Sequence, residues 1–377
     1  MNGSVTQAPV ICIHEDRSTH LVGAKLAVLS LLKHCPRLPI VISCPAPPAA
    51  FCDWVGRLGA RVSLVSYPEL KNLGWNVKPA VLLRLLEAGY SEIIWVDSDI
   101  IANGDGLSPL LSHGADTVVA TQEAYWQEMY WGHPQDGKLR TLAWGLTPKR
   151  PIPFVINTGI VRVTDRHIHL LKAWQTMLNH AVYIHVQTLP WYERPLHMVG
   201  DQDVLTALMG AAEFTDIPIV LLQRGVDIAQ CFGPSGFTPA ERLRGLFKGL
   251  PPLVHAMGRK PWTKPPRPPA IWNARQPFLK ALREYYDYLA LELSPYLPVA
   301  LPYRQAVGDE AEWMDSQTTV GRLMIAMTGG SSTLQSFPLS VVDGMTRRIR
   351  RFLKIAKSSI SPEFYLQESP LEQDAAK

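Results

Sequence analysis

Short apolar runs alternate with stretches of helical periodicity over the first hundred residues, and few folds accept that alternation. "PVICIH" (9–14) is followed by "HLVGAKLAVLSLLKHC" (20–35), whose apolar residues recur at helical spacing up to Pro36. "LPIVIS" (38–43) is a second strand, and "AAFCDWVGRLG" (49–59) a second helix closed by Gly59. "ARVSLVSY" (60–67), "KPAVLLRLLEAGY" (78–90) and "EIIWV" (92–96) continue the series. Pro79 stands near a helix start, where its missing N–H does no harm. Strands alternating with helices of this length predict an α/β fold with a parallel sheet. Such sheets bind ligands beyond the carboxyl ends of their strands. The 377 residues suffice for this sheet and appendages.

The fourth strand ends in Asp97-Ser98-Asp99, followed by Ile100 and Ile101. Carboxylates at the end of a buried strand are costly unless something pairs with them. Two hard oxygen ligands suit Mg²⁺ or Mn²⁺ bridging to a diphosphate. The competing reading is a loop that caps the next element. Further strands are expected at 116–122, 154–163, 217–223 and 252–258, with helices at 166–181 and 200–210. His255 ends an apolar run, so its imidazole is a candidate third ligand, and imidazole favours Mn²⁺ over Mg²⁺. Gly258 permits close backbone approach, and Lys260 is a compact charge suited to phosphate. The plainer alternative is a structural histidine beside a surface lysine.

Bulk properties narrow the class. A net charge of +4 with 19% charged residues does not describe a general nucleic-acid binder. Five scattered cysteines without a CxxC pair fit reduced thiols better than a disulfide framework or a zinc site. The N-terminal sequence lacks a secretory pattern, and no run reaches the roughly 18 apolar residues of a membrane span. A cytoplasmic location, peripheral to the membrane at most, is the expectation.

Four segments together resemble the GT-A glycosyltransferases. They are similar to the retaining nucleotide-sugar transferases that include glycogenin and the bacterial lipopolysaccharide galactosyltransferases. "WVDSD" matches the metal motif, "FVINTGIVRV" the F-N-x-G-v segment, "GDQDVL" the D-Q segment and "HAMGRKPW" the H-x-x-G-x-KPW segment. The last is one residue shorter than the commoner family spacing. "WNVKP", which contains Lys78, resembles a donor-side helix entry. The resemblance implies a Rossmann-like, mixed and mostly parallel sheet flanked by helices over residues 8–262. A Pro-rich connector and helical extension would follow over 263–367, with a flexible tail at 368–377. It also implies that Asp97, Asp99 and His255 hold Mn²⁺ (or Mg²⁺), with Asp97 also near the donor ribose. Lys260 and Gly258 would steady the diphosphate, and Asn157 and Gly159 would line the donor sugar. Asp201 and Gln202 would touch the transferred sugar at the reacting face. His14, Glu15 and Asp16, after the first strand, would meet the nucleotide base and ribose, with a polar turn as the alternative. Asp201 is equally suited to cap the helix that starts there, and Asp203 is a second helix-start acid.

The implied activity is transfer of a hexose from a nucleotide diphosphate donor, a UDP-sugar, to a carbohydrate, lipid-linked or protein hydroxyl. Two other classes compete. A haloacid-dehalogenase-like phosphatase would place DxDx[TV] near the start of the chain, and here Ile101 stands in the last position. A non-catalytic sugar-nucleotide scaffold is the second. Tyr125, Trp126, Tyr130 and Trp131 form an aromatic loop suited to sugar stacking or to core packing, and Trp191 and Tyr192 raise the same choice. Val342, Met345, Ile349, Phe352, Leu353 and Ala356 fall on one helical face of 341–357. Arg347, Arg348, Arg350, Arg351, Lys354 and Lys357 make up its basic remainder. That pattern suits an anionic membrane surface, the chain's own domain or a dimer contact.

Overall fold

A computed structural model describes residues 8–123, 138–152, 154–191, 193–269, 277–315, 318–353 and 364–371. Among these residues ten strands are formed: β1 (Val10–His14), β2 (Ile40–Ser43), β3 (Val62–Val65), β4 (Glu92–Val96), β5 (Ile100–Ala102), β6 (Val118–Glu123), β7 (Val155–Thr164), β8 (Ile219–Leu222), β9 (Ile228–Gln230) and β10 (Leu253–His255). Seven make the main sheet in the order β3-β2-β1-β4-β7-β6-β8, and β5-β10-β9 make a smaller one. β1, β2, β3 and β4 run parallel, as do β6 and β8, while β7 is antiparallel to both neighbours. The sheet is therefore mixed and mostly parallel.

Helices α1 (Leu21–His34), α2 (Ala49–Gly56) and α3 (Lys78–Glu87) are the crossovers that parallel pairing requires. Successive strand residues face opposite sides, so β1 feeds two cores. Val10 and Cys12 pack with Val81, Trp95, Val161 and Trp174, whereas Ile11 and Ile13 pack with Ala24, Ala27, Ile42 and Ile94. Both faces are covered, which is why these strands read as continuous apolar runs.

Two strands and one helix are among the departures from the sequence expectation. β5 and β9 are three residues each, too short for a periodic signal. The helix expected over 166–181 begins as a turn at Asp165–His167, runs from Ile168 to Leu178, and yields to a second helix at Ala181–Gln187. The break falls at His180, whose extended backbone (φ −65, ψ 137) restarts the helix in a new direction.

C-terminal helices Phe278–Glu292, Thr319–Met327 and Phe337–Phe352 meet around Leu289, Leu293, Leu339, Met324 and Ile325. Tyr296, Leu297 and Trp313 pack with Val22 and Leu26 of α1 and with Ile101 and Val254 of the smaller sheet. Residues 364–371 return to helix Leu139–Ala143, where Leu366 N–H donates to the Ala143 carbonyl at 3.0 Å. No described helix is long and apolar enough to cross a membrane. All five cysteines are unpaired. Tyr125, Trp126, Tyr130, Trp131, Tyr192, Lys354, Ala356 and Lys357 lie outside the described residues.

Candidate functional site

Asp97-Ser98-Asp99 is the turn by which the chain leaves the main sheet at β4 and enters the smaller one at β5. Asp97 N–H donates to the Gly159 carbonyl at 2.8 Å, which ties the turn to β7. β10 lies antiparallel to β5 with His255 opposite Ile100, and Ala256 N–H donates to the Asp99 carbonyl at 3.0 Å. That register carries the imidazole to the acids from far along the chain. His255 Nε2 stands 3.2 Å from Asp99 Oδ1, and the Lys260 ammonium pairs with Asp99 Oδ2. Burial alone would raise the Asp99 carboxyl; Lys260 and His255 outweigh it and hold the group far below the usual carboxylate range.

Ligand atoms of Asp97, Asp99 and His255 lie within 4.8 Å of one another. His255 Nδ1 is buried and makes no hydrogen bond among the described residues. Two carboxylates and an imidazole with an unused nitrogen are a donor set that suits Mn²⁺ and accepts Mg²⁺. The residues present fit such an ion.

Gly159 sits under the imidazole. A Cβ there would lie 2.6 Å from His255 Cε1 and 2.8 Å from Asn157 Oδ1. Gly159→Ala must push the ring off the acids, so Mn²⁺ affinity measured by calorimetry should fall about ten-fold or more, as ligand-orienting changes do. Unchanged affinity would separate Gly159 from ligand placement.

Lys78 opens α3 and is buried against three partners. Its ammonium donates to Thr158 Oγ1 at 2.8 Å and stands 3.3 Å from both Asp97 Oδ1 and Asp201 Oδ2. Burial would pull this lysine down, but Asp201 and Asp97 outweigh it and raise it. Thr158 Oγ1 donates in turn to Asp201 Oδ2 at 2.7 Å, and Trp95 Nε1–H to Asp97 Oδ1 at 2.7 Å. Asp201 does not cap its helix. Gly200 occupies that position, and Asp203 Oδ2 accepts from the Gly200 N–H at 3.1 Å. With the cap supplied by Asp203, the Asp201 carboxylate is available to Lys78. Burial raises the Asp201 carboxyl, and Lys78 partly reverses that.

Asn157 fixes the next part of the wall. Its amide donates to Glu123 Oε2 at 2.9 Å and to Gln202 Oε1 at 3.4 Å, and its Oδ1 accepts from Gly159 N–H at 3.0 Å. At the end of β1, His14 Nδ1 meets Ser43 Oγ at 3.0 Å and its ring stacks on Trp95 with centroids 6.2 Å apart. His14 Nε2 is buried without a hydrogen bond among the described residues. Glu15 Oε2 accepts from Ser98 Oγ at 2.6 Å, latching the acidic turn to β1. Gly258 has φ +70, a backbone that favours glycine.

All of these predicted residues — Asp201, Gln202, Asp97, Asp99, Lys78, Asn157, Gly159, Gly258, Lys260, His255 and His14 — line one cavity of about 910 Å³. It lies at the carboxyl ends of β1 and β4. Trp75, Trp191, Phe232 and Thr158 line it too and were not read as one site in the sequence. Trp75 opens the quoted "WNVKP" and Thr158 lies inside the N-x-G segment, so the motifs themselves carried a signal. Phe232 had none.

Asp203, which reaches the cavity, and Glu123 and Arg140 behind it are buried. Burial pushes each carboxyl up to about 7, against Arg140 for Asp203 and against Asn157 for Glu123. Folded protein thus holds protons that the unfolded chain releases near pH 4, so stability falls as pH rises from about 4 to about 7. The urea midpoint should drop between pH 5 and pH 8, and Glu123→Gln, which keeps an acceptor for Asn157, should flatten that slope. An unaltered slope in the variant would remove Glu123 as a contributor.

No family model matches the sequence, and no curated protein sequence matches it. Among solved structures, similarity is found to the galactosyltransferase LgtC in complex with donor and acceptor sugar analogs, at 16% identity and TM-score 0.42 over 74% of this chain and 95% of that one. The WbbM bifunctional glycosyltransferase is similar at 14% identity and TM-score 0.45 over 81% of this chain and 52% of that one. Mouse xyloside xylosyltransferase 1 is similar at 11% identity and TM-score 0.42 over 66% of this chain and 98% of that one. All three of these proteins are glycosyltransferases.

Proposed function

We propose that the protein is a glycosyltransferase that moves a hexose from a nucleotide diphosphate donor, UDP-hexose, to a hydroxyl acceptor with a divalent cation, Mn²⁺ or Mg²⁺. The observation that supports this reading is the meeting of Asp97, Asp99 and His255 in one cavity with Lys78 and Lys260. Carboxylates and imidazole suit a cation, and the ammonium of Lys260 at the same site suits an anion. A diphosphate held through a cation answers both demands.

Asp97, Asp99 and His255 would hold the ion, and a cation bound there would offset the charge that builds on the departing diphosphate. Lys260, held beside Asp99, would add a second positive charge near the departing diphosphate. The turn at Gly258 admits the phosphate close to the backbone. His14, with its unused Nε2, faces the base and ribose. Asn157 and Gln202 hold the donor hexose, and Lys78 keeps Asp97 and Asp201 at fixed distance beneath it. The bond from the anomeric carbon to the phosphate oxygen breaks and its electron pair leaves with the diphosphate. The acceptor oxygen bonds to the anomeric carbon on the same face, giving retention, and its proton passes to the leaving phosphate oxygen. Asp201, buried and paired, acts by its charge on the electron-poor sugar and not as a nucleophile. Trp75 and Trp191, each half exposed, form the far wall, where indole faces suit the apolar face of a carbohydrate acceptor. Residues 8–262 carry this chemistry, with 263–367 as an extension.

The test is hydrolysis of UDP-glucose and UDP-galactose by the full chain in Mn²⁺ and in EDTA. Slow release of UDP in Mn²⁺ that stops in EDTA is expected, with the released sugar's first anomer read by NMR. Cation-independent hydrolysis, or turnover of phosphate monoesters instead, would sink the assignment. So would the absence of both hydrolysis and any rise in melting temperature with UDP and Mn²⁺.

A further inference from the structure

We propose that the helix Phe337–Phe352, together with the turn at 243–248, is a docking surface for an anionic lipid bilayer. The start of this helix is held by the body of the protein. Leu339 and Ser340 are buried, and the helix packs against the segments Gly233–Gly236 and Pro239–Arg244. From Val342 onward it presents apolar residues to solvent. Val342, Met345, Ile349 and Phe352 are 54–86% exposed and follow one another at spacings of three and four, so they form a single stripe. A stripe of this kind on a helix of a folded protein ordinarily faces a core. Among the described residues nothing covers it.

Charge decides what covers it. Between Val342 and Leu353 stand Arg347, Arg348, Arg350 and Arg351 against one acid, Asp343. Helical periodicity places positions 348 and 350 on the two flanks of the stripe, with 347 and 351 opposite it. The adjoining turn repeats the chemistry. Leu243, Leu246 and the almost fully exposed Phe247 stand beside exposed Arg244 and Lys248. Two copies of this face would bring arginines against arginines. An apolar layer edged by anionic headgroups receives the stripe in its acyl boundary and the flanking basic positions, with Arg244 and Lys248, at its surface. The observations that carry this are separate from the cavity, so the proposal stands or falls independently of glycosyl transfer.

Flotation of the full chain with vesicles tests it. Vesicles of phosphatidylcholine alone, and of phosphatidylcholine with phosphatidylglycerol, are compared at about 0.1 M and about 0.5 M salt. Wild type should float with the phosphatidylglycerol vesicles only, and high salt should release it. Met345→Glu with Ile349→Glu should cut the bound fraction about ten-fold or more while leaving melting temperature and UDP-sugar hydrolysis unchanged, because both side chains are exposed. Phe247→Ser should weaken flotation by a smaller factor. Absence of flotation with anionic vesicles, or equal flotation with neutral ones, would overturn the proposal. A dimer of the wild-type chain in light scattering that the double variant dissociates, without vesicle binding, would assign the face to a second copy instead.

Discussion

Asp99→Ala should abolish high-affinity Mn²⁺ binding and lower UDP-sugar hydrolysis by about a thousand-fold, the equivalent of roughly 4 kcal/mol of transition-state stabilisation. Asp99 is the group on which the site converges: His255 reaches one of its oxygens and Lys260 the other. Removing the carboxylate takes away a proposed cation ligand and the anchor of two further residues at once. It also leaves the imidazole and the ammonium facing each other without a counter-charge. Asp99→Asn keeps the shape and removes the charge, so it should lose nearly as much activity while folding normally. Calorimetric Mn²⁺ titration beside the hydrolysis assay separates cation loss from misfolding. A variant that keeps Mn²⁺-dependent hydrolysis within about ten-fold of wild type would refute the assigned role.

Lys78→Met should have the largest effect on stability. The ammonium is the counter-charge for Asp97 and Asp201, and it and Asp201 are buried while Asp97 is partly exposed to the cavity. Removing one member of a buried ion cluster strands the others, at a cost of about 3–5 kcal/mol. The loss depends on pH. In the wild type Lys78 is raised above its ordinary value of 10.5, so its stabilisation is in place at all lower pH. Without it, the Asp201 carboxyl, already raised by burial, moves further up and is protonated in the folded state over a wider range. The variant's deficit should therefore be small near pH 4 and grow toward pH 8, read from urea unfolding at each pH. Equal deficits at both ends would show that Lys78 contributes packing and not charge.

The parts of the fold that sequence revealed are those governed by local periodicity. The strands ending at His14 and Val96 and the helices that follow Leu21 and Lys78 bury regular patterns of side chains, and such patterns are visible within a dozen residues. The acids at 97 and 99 were legible for the same reason, since polar groups that end a buried run stand out against it. Elsewhere the local signal was ambiguous. Asp201 offered itself as a helix cap, and only the hydrogen bond between Asp203 and Gly200 frees it for Lys78. The break at His180 separates two helices that periodicity alone joins.

By itself, then, the sequence determined an alternating α/β order and the position of two carboxylates at a strand end. It also supplied residue types, in order, that suit a cation and a phosphate. Tertiary structure alone decided that these residues share a cavity. The three-residue strands β5 and β10 pair with His255 opposite Ile100, and that register sets the imidazole on Asp99. The apolar run of β10 was visible and that of β5 was not, but which strand β10 pairs with is selected by the energy of the whole sheet. The tight space at Gly159 has in part the same origin, because a Cβ there would meet the ring of His255 as well as its neighbour Asn157.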